Sequence, residues 1–345
     1  MNKLCSPTVS LILPIRNEAK HIRGSLESIA QQDFPHEQME IIIADGLSTD
    51  NTKEVVEASK PSDIPLIWLE NPNKIVPTGL NLAIRQASGE IIIRVDGHCE
   101  IAADYTSRCV WYLQNQGVQG VGGPMETIGE NYISEVIAYA MSSSFGVGNS
   151  AFRTVVDRTL LVDSIPFPAY TREIIQAAGL YDEELVRDQD DEYNYRIREL
   201  GGKLLLAADV KSKYYSRASL AKLWKQYFHY GYYKVRVLQK HPHQMSLRHF
   251  VPPLFALSLA LSILLAVMTP WGKVLLVLIA GSYLAVNLIA SLVTAAKKGW
   301  RYFPLLPLTF AILHLSYGSG FLWGLFKFRN RWGDKIGNVP AWSLD

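Results

Sequence analysis

Three clusters of polar residues, each directly after an apolar run, contain the side chains of this sequence most suited to chemistry. They are Arg16-Asn17-Glu18, Asp45-Gly-Leu-Ser-Thr-Asp50 and Asp96-Gly-His98, and a fourth cluster, Gln189-Asp-Asp-Glu192, stands later in the chain. Carboxylates accept hydrogen bonds and bind cations, and a histidine ring can ligate a metal or exchange a proton. These clusters therefore indicate a ligand-binding site, and the apolar runs before them must supply its frame.

The apolar runs at the start of the chain predict the strands of a parallel sheet. They stand at 9–14, 39–44, 66–70 and 90–95. None of them alternates polar with apolar residues, and segments with helical periodicity separate them, which is typical of parallel strands covered by helices on both faces. The predicted fold is therefore α/β and doubly wound. In such sheets ligands bind beyond the carboxyl ends of the strands, where the polar clusters stand.

Two common nucleotide-binding motifs are absent from this sequence. The first predicted strand is not followed by a GxGxxG fingerprint, and the chain contains no Walker A sequence. Their absence argues against a classical dinucleotide-binding fold and against a P-loop.

The part of the chain after residue 96 has a mixed pattern. Predicted strands stand at 118–122, 160–167 and 203–208, and predicted helices at 134–141, 172–178, 192–200 and 220–238. The last of these helices is amphipathic and rich in Tyr, Trp, Lys and Arg, which suits a helix lying at a membrane interface. A solvated helix of a globular domain is the alternative.

The charge of the chain divides it into two unlike parts. The 345 residues carry 34 basic and 32 acidic side chains, but residues 251–345 contain 8 of the basic and only 2 of the acidic ones. Between Val251 and Ala296 the only charged residue is Lys273. Two apolar stretches, 251–268 and 274–296, are each long enough to span a bilayer, and basic residues flank both ends of the pair. We therefore expect a helical hairpin with both ends in the cytoplasm.

A third apolar stretch, 303–326, is followed by a basic tail that contains Lys327 and Lys335. A full span would put this tail outside, against the positive-inside rule, whereas a re-entrant or interfacial helix would keep it inside. Its length alone slightly favours a third span. Its small residues, Gly318, Gly320 and Gly324, are also typical of closely packed helices.

The polar motifs occur in an order that resembles the inverting, family 2 glycosyltransferases with the GT-A fold. The motifs are Pro14-Ile-Arg-Asn-Glu18, Asp45 to Asp50, Gly79-Leu-Asn81, Asp96-Gly-His98 and Gln189-Asp-Asp-Glu192. More narrowly, the chain is similar to the ExoA-like branch that acts in succinoglycan biosynthesis. The resemblance covers roughly residues 8–240 and implies a mixed α/β sheet flanked by helices, followed by C-terminal transmembrane helices. Each motif is weak alone, but the ordered set at strand ends is specific.

The resemblance implies that the loops after the first, second and fourth strands bind a nucleotide sugar. The residues that it assigns to the donor are Pro14, Arg16, Asn17, Glu18, Asp45, Ser48 and Asp96. The carboxylate of Asp45 can accept hydrogen bonds from a uracil N3–H or from ribose hydroxyls. A UDP-linked donor is therefore expected.

The family usually has a DxD motif where this chain has Asp96-Gly-His98. In the family that motif binds a divalent metal that bridges the donor diphosphate, which implies Asp96 and His98 as metal ligands. A neutral imidazole suits Mn²⁺ better than Mg²⁺, which prefers oxygen ligands. We therefore expect Mn²⁺ in preference to Mg²⁺. The alternative is a turn histidine that binds no metal.

The resemblance also implies that the acidic cluster near residue 190 holds the catalytic base. Counting back from Arg196 aligns the family's Glu-Asp pair with Gln189 and Asp190, so Asp190 is the expected base and Asp191 the fallback. Inverting transfer needs such a carboxylate to deprotonate the acceptor hydroxyl. The alternative is an ordinary acidic start to a helix.

Two further segments match regions that face the acceptor or the diphosphate in the family. Tyr170 and Arg172 fall in the acceptor-side region, and Gln226, His229 and Tyr230 stand where processive relatives have QxxRW. Because His-Tyr replaces Arg-Trp, the sequence argues for addition of a single sugar rather than processive synthesis.

Together these observations predict a multi-pass inner-membrane enzyme with its catalytic domain in the cytoplasm. It would transfer one sugar from a nucleotide sugar to a polyprenyl-diphosphate-linked saccharide in exopolysaccharide or envelope synthesis, with membrane lipid and no nucleic acid as partners. The expected parts are a GT-A domain (1–218), an interface helix with its linker (219–249), a membrane region (250–326) and a basic tail (327–345). The alternatives are a processive synthase, a polyprenyl-phosphate sugar transferase, and a non-catalytic adaptor that binds nucleotide sugars.

Overall fold

The computed structural model of the chain describes residues 8–148, 150–216, 219–335, 337–340 and 342. These residues form two compact units. The first unit contains the described residues up to Glu126, the segment Val155–Tyr214 and the described residues from Gly337. The second unit contains the described residues of Thr127–Thr154 and those from Tyr215 to Lys335. The N-terminal residues 1–7 lie outside the described part of the chain.

The strands of the described residues are β1 (Val9–Ile15), β2 (Met39–Asp45), β3 (Leu66–Glu70), β4 (Ile91–Arg94), β5 (Cys99–Ile101), β6 (Gly120–Gly122), β7 (Met125–Ile128), β8 (Leu160–Leu161), β9 (Ala169–Thr171), β10 (Leu204–Leu206) and β11 (Ser212–Tyr215). The helices of four residues or more are α1 (Ile22–Ala30), α2 (Thr52–Ser59), α3 (Val76–Gln86), α4 (Tyr105–Asn115), α5 (Tyr132–Met141), α6 (Ser144–Val147), α7 (Ala151–Thr154), α8 (Arg172–Ala178), α9 (Gln189–Glu199), α10 (Leu220–Lys240), α11 (Val251–Met268), α12 (Pro270–Lys298) and α13 (Leu306–Lys327).

The main sheet of the first unit has eight strands in the order β3-β2-β1-β4-β9-β6-β10-β8. The first four strands along the chain pair in parallel, as their uninterrupted apolar runs predict, and β1, β2 and β4 are buried almost throughout. Strand β9 pairs antiparallel with both β4 and β6, so the complete sheet is mixed. A parallel sheet is therefore correct for the first half of the domain only, and the mixed sheet implied by the family resemblance is confirmed.

The middle of the first unit differs from the sequence expectation in two elements. The single strand expected at 160–167 is replaced by the two-residue β8 and by β9, because Pro166 and Pro168 interrupt the run between them. The helix α4 was not expected, since its sequence YTSRCVWYLQN mixes polar and aromatic residues without a clear apolar stripe. Tyr105 of α4 is nonetheless fully buried, and its hydroxyl donates to the Phe167 carbonyl at 2.7 Å.

The second unit contains three helices that are long and apolar enough to cross a membrane, namely Leu247–Met268, Pro270–Lys298 and Leu306–Lys327. The first two expose most of their apolar side chains, as lipid-facing helices do. They are joined by a turn in which Thr269 caps α12 by accepting the N–H of Gly272 at 2.9 Å. The apolar hairpin expected from the sequence is therefore present.

The third apolar helix, α13, packs tightly against α10. A Cβ atom added to Gly231 of α10 would lie 2.0 Å from the Tyr317 carbonyl oxygen, and one added to Gly320 of α13 would lie 2.0 Å from that of Phe228. The two backbones can approach this closely only because glycine has no side chain. The expected role of the small residues in close helix packing is thus realised within this unit.

Two segments belong to a different unit from the one that their position in the sequence suggests. Residues 127–154 are grouped with the apolar helices, because Val136 and Met141 of α5 share a buried cluster with Leu306 and Phe310 of α13. The described residues from Gly337 are grouped with the first unit, which contains the main sheet. Periodicity along the chain reveals neither grouping, since both rest on contacts between distant segments.

Candidate active site

The loops after β1 and β2 are fastened to each other by main-chain to side-chain hydrogen bonds. The N–H of Asn17 donates to the hydroxyl of Ser48 at 2.8 Å, and the N–H of Thr49 donates to the side-chain oxygen of Asn17 at 2.8 Å. Asn17 adopts a left-handed backbone with φ of 56°, which asparagine tolerates better than most residues. The two loops therefore form one preorganised surface at the ends of the parallel strands.

Asp45 ends β2 and is 5% exposed. One of its carboxylate oxygens accepts the N–H of Ser48 at 2.9 Å, and the other accepts the Ser48 hydroxyl at 2.5 Å. Ser48 thus fixes the orientation of the carboxylate to which the sequence assigns nucleotide binding. Nearby, the Arg16 side chain lies over Gly46, where an added Cβ would meet it at 3.1 Å, and Pro14 packs beside Gly79 of α3.

The centre of the site is an ion cluster in which Arg94 bridges two carboxylates. The Nε of Arg94 donates to Oδ1 of Asp96 at 2.8 Å, and Nη2 donates to Oδ2 at 3.2 Å, so that the pair is bidentate. The remaining nitrogen, Nη1, donates to Oδ1 of Asp190. One guanidinium therefore joins the end of β4 to the start of α9, which lies about a hundred residues further along the chain.

The electrostatics of the two aspartates differ. Burial tends to raise the pKa of Asp96, but the adjacent Arg94 outweighs it and holds this pKa below its ordinary value. Desolvation raises the pKa of Asp190 despite the attraction of Arg94. Because 38% of the Asp190 side chain remains exposed, an incoming hydroxyl can still reach it. An accessible carboxylate with a raised pKa is suited to accept a proton.

Arg94 is a functional candidate that the sequence reasoning missed. Its side chain is only 8% exposed, and the sequence pattern places it within the apolar strand predicted at 90–95. A signal was present, since an arginine at the end of a run of isoleucines must find a partner, and residues i and i+2 of a strand point to the same face. Arg94 and Asp96 have that spacing.

His98 is oriented by the carboxylate of Glu18. Nδ1 of His98 lies 2.9 Å from Oε1 of Glu18, and the ring packs edge-on against Tyr214 with 4.9 Å between centroids. Nε2 of His98 is buried and has no hydrogen-bond partner among the described residues. A histidine with one nitrogen held by a carboxylate and the other unused is the usual arrangement of a metal ligand.

The turn between Asp96 and His98 depends on glycine. A Cβ added to Gly97 would lie 2.9 Å from Cγ of Glu18 and 2.9 Å from Cγ2 of Ile15, closer than such atoms normally approach. Within the described residues, groups of three or more His, Cys, Asp or Glu side chains that could hold a metal are absent. In the described part of the chain, Asp96 and His98 are therefore not members of such a group of three.

The expected base lies at the amino-terminal end of α9. Asp188, just before it, has a left-handed backbone with φ of 62°, and the Nε2 of Gln189 lies 3.5 Å from Oδ2 of Asp190. Asp191 is in the same first turn, but the contact to Arg94 is made by Asp190. The structure therefore brings Asp190, and Asp96 with it, into one cluster.

The residues expected on the acceptor side, Tyr170 and Arg172, lie in β9 and at the start of α8. Tyr170 is buried in β9, and its hydroxyl donates to the side-chain oxygen of Asn194 at 2.6 Å. Arg172 donates to the carbonyls of Ala87 and Gly89 at 2.6 and 2.8 Å. Both side chains thus already have partners within the catalytic unit.

Gln226, His229 and Tyr230 lie on α10 in the second unit. The Nε2 of Gln226 donates to the hydroxyl of Tyr230 at 2.9 Å, while its Oε1 is buried without a partner among the described residues. The ring of His229 contacts those of Phe228 and Tyr233. These three residues are grouped on one helix, as their spacing predicts.

Comparison with known proteins connects this geometry to a family. The model of "Glycosyl transferase family 2" matches residues 10–177. The succinoglycan biosynthesis protein ExoA of Rhizobium meliloti is 30% identical over 333 residues, which are 96% of this chain and 98% of that protein. A dolichyl N-acetyl-alpha-D-glucosaminyl phosphate glucuronosyltransferase of Methanococcus voltae, which transfers a diacetamido sugar acid, is 28% identical over 92% of this chain and 97% of its own length.

Among solved structures, the mannosyltransferase PcManGT from Pyrobaculum calidifontis, determined with GDP-Man and Mn²⁺, superposes with a TM-score of 0.60. The match covers 92% of this chain and 88% of that one at 19% identity, and at this identity it supports the fold alone. It agrees with the GT-A architecture of the mixed sheet. From the family match and the relatives that align along almost its whole length, the chain belongs to glycosyltransferase family 2 and is a glycosyltransferase with the GT-A fold.

Proposed function

We propose that this enzyme is membrane-bound and transfers a single sugar, with inversion, from a UDP-sugar to a polyprenyl-diphosphate-linked saccharide in exopolysaccharide or cell-envelope synthesis. The observation that carries the proposal is the Arg94 bridge, which joins Asp96, at the donor end of the sheet, to the half-buried carboxylate of Asp190. The full-length relatives act in succinoglycan biosynthesis and, by name, on a dolichyl-linked phosphate, which supports a lipid-linked acceptor.

In the proposed reaction Asp190 takes the proton from an acceptor hydroxyl as its oxygen attacks the anomeric carbon. The new bond between that oxygen and the anomeric carbon forms as the bond from the carbon to the diphosphate oxygen breaks, and the nucleoside diphosphate leaves with the electron pair. Ser48 supports donor binding by orienting Asp45 toward the base or ribose. The raised pKa of Asp190 matches the role of a proton acceptor.

We propose that Asp96 and His98 hold a divalent metal together with oxygens of the donor diphosphate. The buried, partnerless Nε2 of His98 and its orientation by Glu18 support this assignment. A site completed by substrate phosphates needs only one or two protein ligands, so the small ligand set fits. When bound, the metal would neutralise negative charge that develops on the leaving diphosphate. An imidazole ligand favours Mn²⁺ over Mg²⁺.

The test of this function is a donor screen with matched aspartate variants. Purified enzyme with Mn²⁺ is incubated with several nucleotide sugars and a polyprenyl-diphosphate saccharide extract, and the products are resolved by mass. We expect one added sugar from one donor, loss of transfer in Asp190→Asn, and retained transfer in Asp191→Asn. A ladder of products would instead indicate a processive synthase, and an active Asp190→Asn enzyme would remove that residue from the mechanism.

We further propose that α11 and α12 cross the inner membrane as a hairpin, whereas α13 lies along the cytoplasmic face beside α10. The side chains of Lys234, Arg236 and Lys240 in α10 are buried, and such charges are costly to desolvate in hydrocarbon. α13 packs on this charged helix through Gly320 and Gly324, and on the first turns of α11, where Gly318 lies against Pro252. Both contacts support a position of α13 near the cytoplasmic face. The segment from Gly337 is grouped with the first unit, which supports a position of the basic tail on the same side of the membrane as that unit.

Cysteine labelling tests this topology. In a Cys5→Ser background the remaining cysteines, Cys99 and Cys109, are buried and should not react. With a membrane-impermeant maleimide, a cysteine at Trp271, in the hairpin turn, should be labelled from the periplasmic side. A cysteine at Lys335 should be labelled only from the cytoplasmic side, and labelling of it from outside would mean that α13 crosses the membrane.

A further inference from the structure

The C-terminal segment of the chain is part of the catalytic unit, although it follows the apolar helices. The N–H of Asn338 donates to Oδ1 of Asp182 at 2.9 Å, and the carbonyl of Asn338 accepts the N–H of Glu183 at 2.9 Å. Both bonds use the main chain of Asn338, and they join it to the Asp182 side chain and to the Glu183 main chain in the loop between α8 and α9. The Val339 side chain lies beside Gly179 of the same loop.

Trp342 extends this contact toward the core of the domain. It packs against the buried cluster that includes Ile174 of α8 and Leu180. Its ring centroid lies 5.9 Å from the guanidinium carbon of Arg172, within the distance of a cation–π contact. The C-terminal segment is therefore held at two points, by the main-chain hydrogen bonds of Asn338 and by the aromatic packing of Trp342.

The loop that receives this segment is the one that leads into the catalytic base. Its other side is held by Asn81, whose side-chain amide donates to the Tyr181 carbonyl at 2.9 Å and to Glu183 at 3.0 Å. The side-chain oxygen of Asn81 also accepts the N–H of Tyr181 at 2.8 Å. From Glu183 the chain needs only a few residues to reach the left-handed turn at Asp188 and then Asp190.

We infer that the C-terminal segment, through Asn338 and Trp342, is a positioning element that seats the 179–188 loop and thereby holds Asp190 in place for proton transfer. The inference rests on the proposed role of Asp190 as the base. The loop has no regular secondary structure between α8 and α9, so contacts from outside must restrict its conformation. Asn81 contacts the 179–188 loop on one side, and the C-terminal segment contacts this loop on the other side. The contacts of the described residues of this segment are with Gly179, Asp182, Glu183, Arg172 and the buried cluster.

Because both hydrogen bonds of Asn338 use its main chain, two substitutions at this position form a matched test. Asn338→Ala keeps the N–H and carbonyl that make both bonds and should behave as the wild type. Asn338→Pro removes the N–H and with it the bond to Asp182. Because small misplacements of a catalytic group are costly, we expect kcat to fall by roughly 10–100-fold in Asn338→Pro. The donor KM and the affinity for UDP, measured by calorimetry, should stay within about twofold.

Two further variants keep the test decisive if the proline substitution prevents folding. Trp342→Ala removes the aromatic contact, and a chain shortened to end at Ile336 removes the whole segment. Both variants should show the same loss of kcat with unchanged affinity for UDP. A merely structural role would lower UDP affinity and thermal stability together with kcat. Full activity of the shortened chain, with Asp190→Asn inactive, would overturn this inference alone. Full activity of Asp190→Asn would overturn the proposed function on which it rests.

Discussion

The Arg94 bridge makes the strongest quantitative prediction of this structure. In Arg94→Met the apolar side chain keeps most of the volume but leaves Asp96 and Asp190 without their shared cation. Removing one partner of a buried ion pair costs about 3–5 kcal/mol. Because the Asp190 side chain is still 38% exposed, we expect the lower end of this range, about 3 kcal/mol.

Such a loss would lower the Tm by roughly 6–12 °C for a unit of this size, because each kcal/mol shifts it by about 2–4 °C. Thermal unfolding of the full-length protein in detergent, followed by tryptophan fluorescence, measures this shift. The matched control is Arg85→Met, which makes the same chemical change at an exposed position of α3 and should alter stability by no more than about 0.5 kcal/mol. Equal melting of the two variants would refute the idea that Arg94 compensates buried charge.

The same variant tests the electrostatics of the base through the pH dependence of kcat. Asp190 must be ionised to accept a proton, so the rate falls on the acid side as the pH drops through its pKa. Burial already raises that pKa, and Arg94 opposes the rise. Without Arg94 the pKa rises further, so the acid limb should move to higher pH. An acid limb that stays in place in Arg94→Met would mean that another group controls it.

Three further predictions follow from local packing and charge. Gly97→Ala should displace Glu18 from His98, because the added Cβ would lie 2.9 Å from the Glu18 side chain. We expect the apparent Mn²⁺ affinity to fall about tenfold in a metal titration. An unchanged affinity would mean that the contact between Glu18 and His98 does not support metal binding. His98→Ala should raise the Mn²⁺ requirement of donor hydrolysis and lower stability by about 1–3 kcal/mol, since it removes the contacts of the ring with Glu18 and Tyr214. Gly320→Ala should cost about 1–3 kcal/mol by separating α13 from α10, whereas Gly281→Ala, with open space around its position, should be neutral in the same melting experiment.

Much of the catalytic half could be predicted from local pattern. The apolar runs of β1, β2 and β4 identify buried parallel strands, because only strands covered on both faces lack polar alternation. In the parallel pair β1 and β2, Ile15 lies opposite Asp45, so the strand ends are level and the polar residues after them meet at one edge. The site at this edge follows from that geometry and from the order of the motifs.

The resemblance to family 2 glycosyltransferases added what local pattern alone did not determine. Periodicity favours a doubly wound parallel sheet, but the family has a mixed one, and the antiparallel β9 between β4 and β6 agrees with the family. The short strands β8 and β9 carry too few residues to show a period, so the sequence pattern does not reveal that Pro166 and Pro168 interrupt the strand expected at 160–167.

The sequence by itself determined which elements form, which loops carry polar groups and which helices are apolar enough for a membrane, because each depends on residues close together in the chain. Only the tertiary structure decided which distant residues are in contact. Arg94 binds Asp190, which lies 96 positions further along the chain. Asn338 binds Asp182, which lies 156 positions before it. The side of the membrane proposed for α13 likewise depends on its charged neighbour α10. Such contacts are set by the packing of the whole chain, and no local pattern contains them.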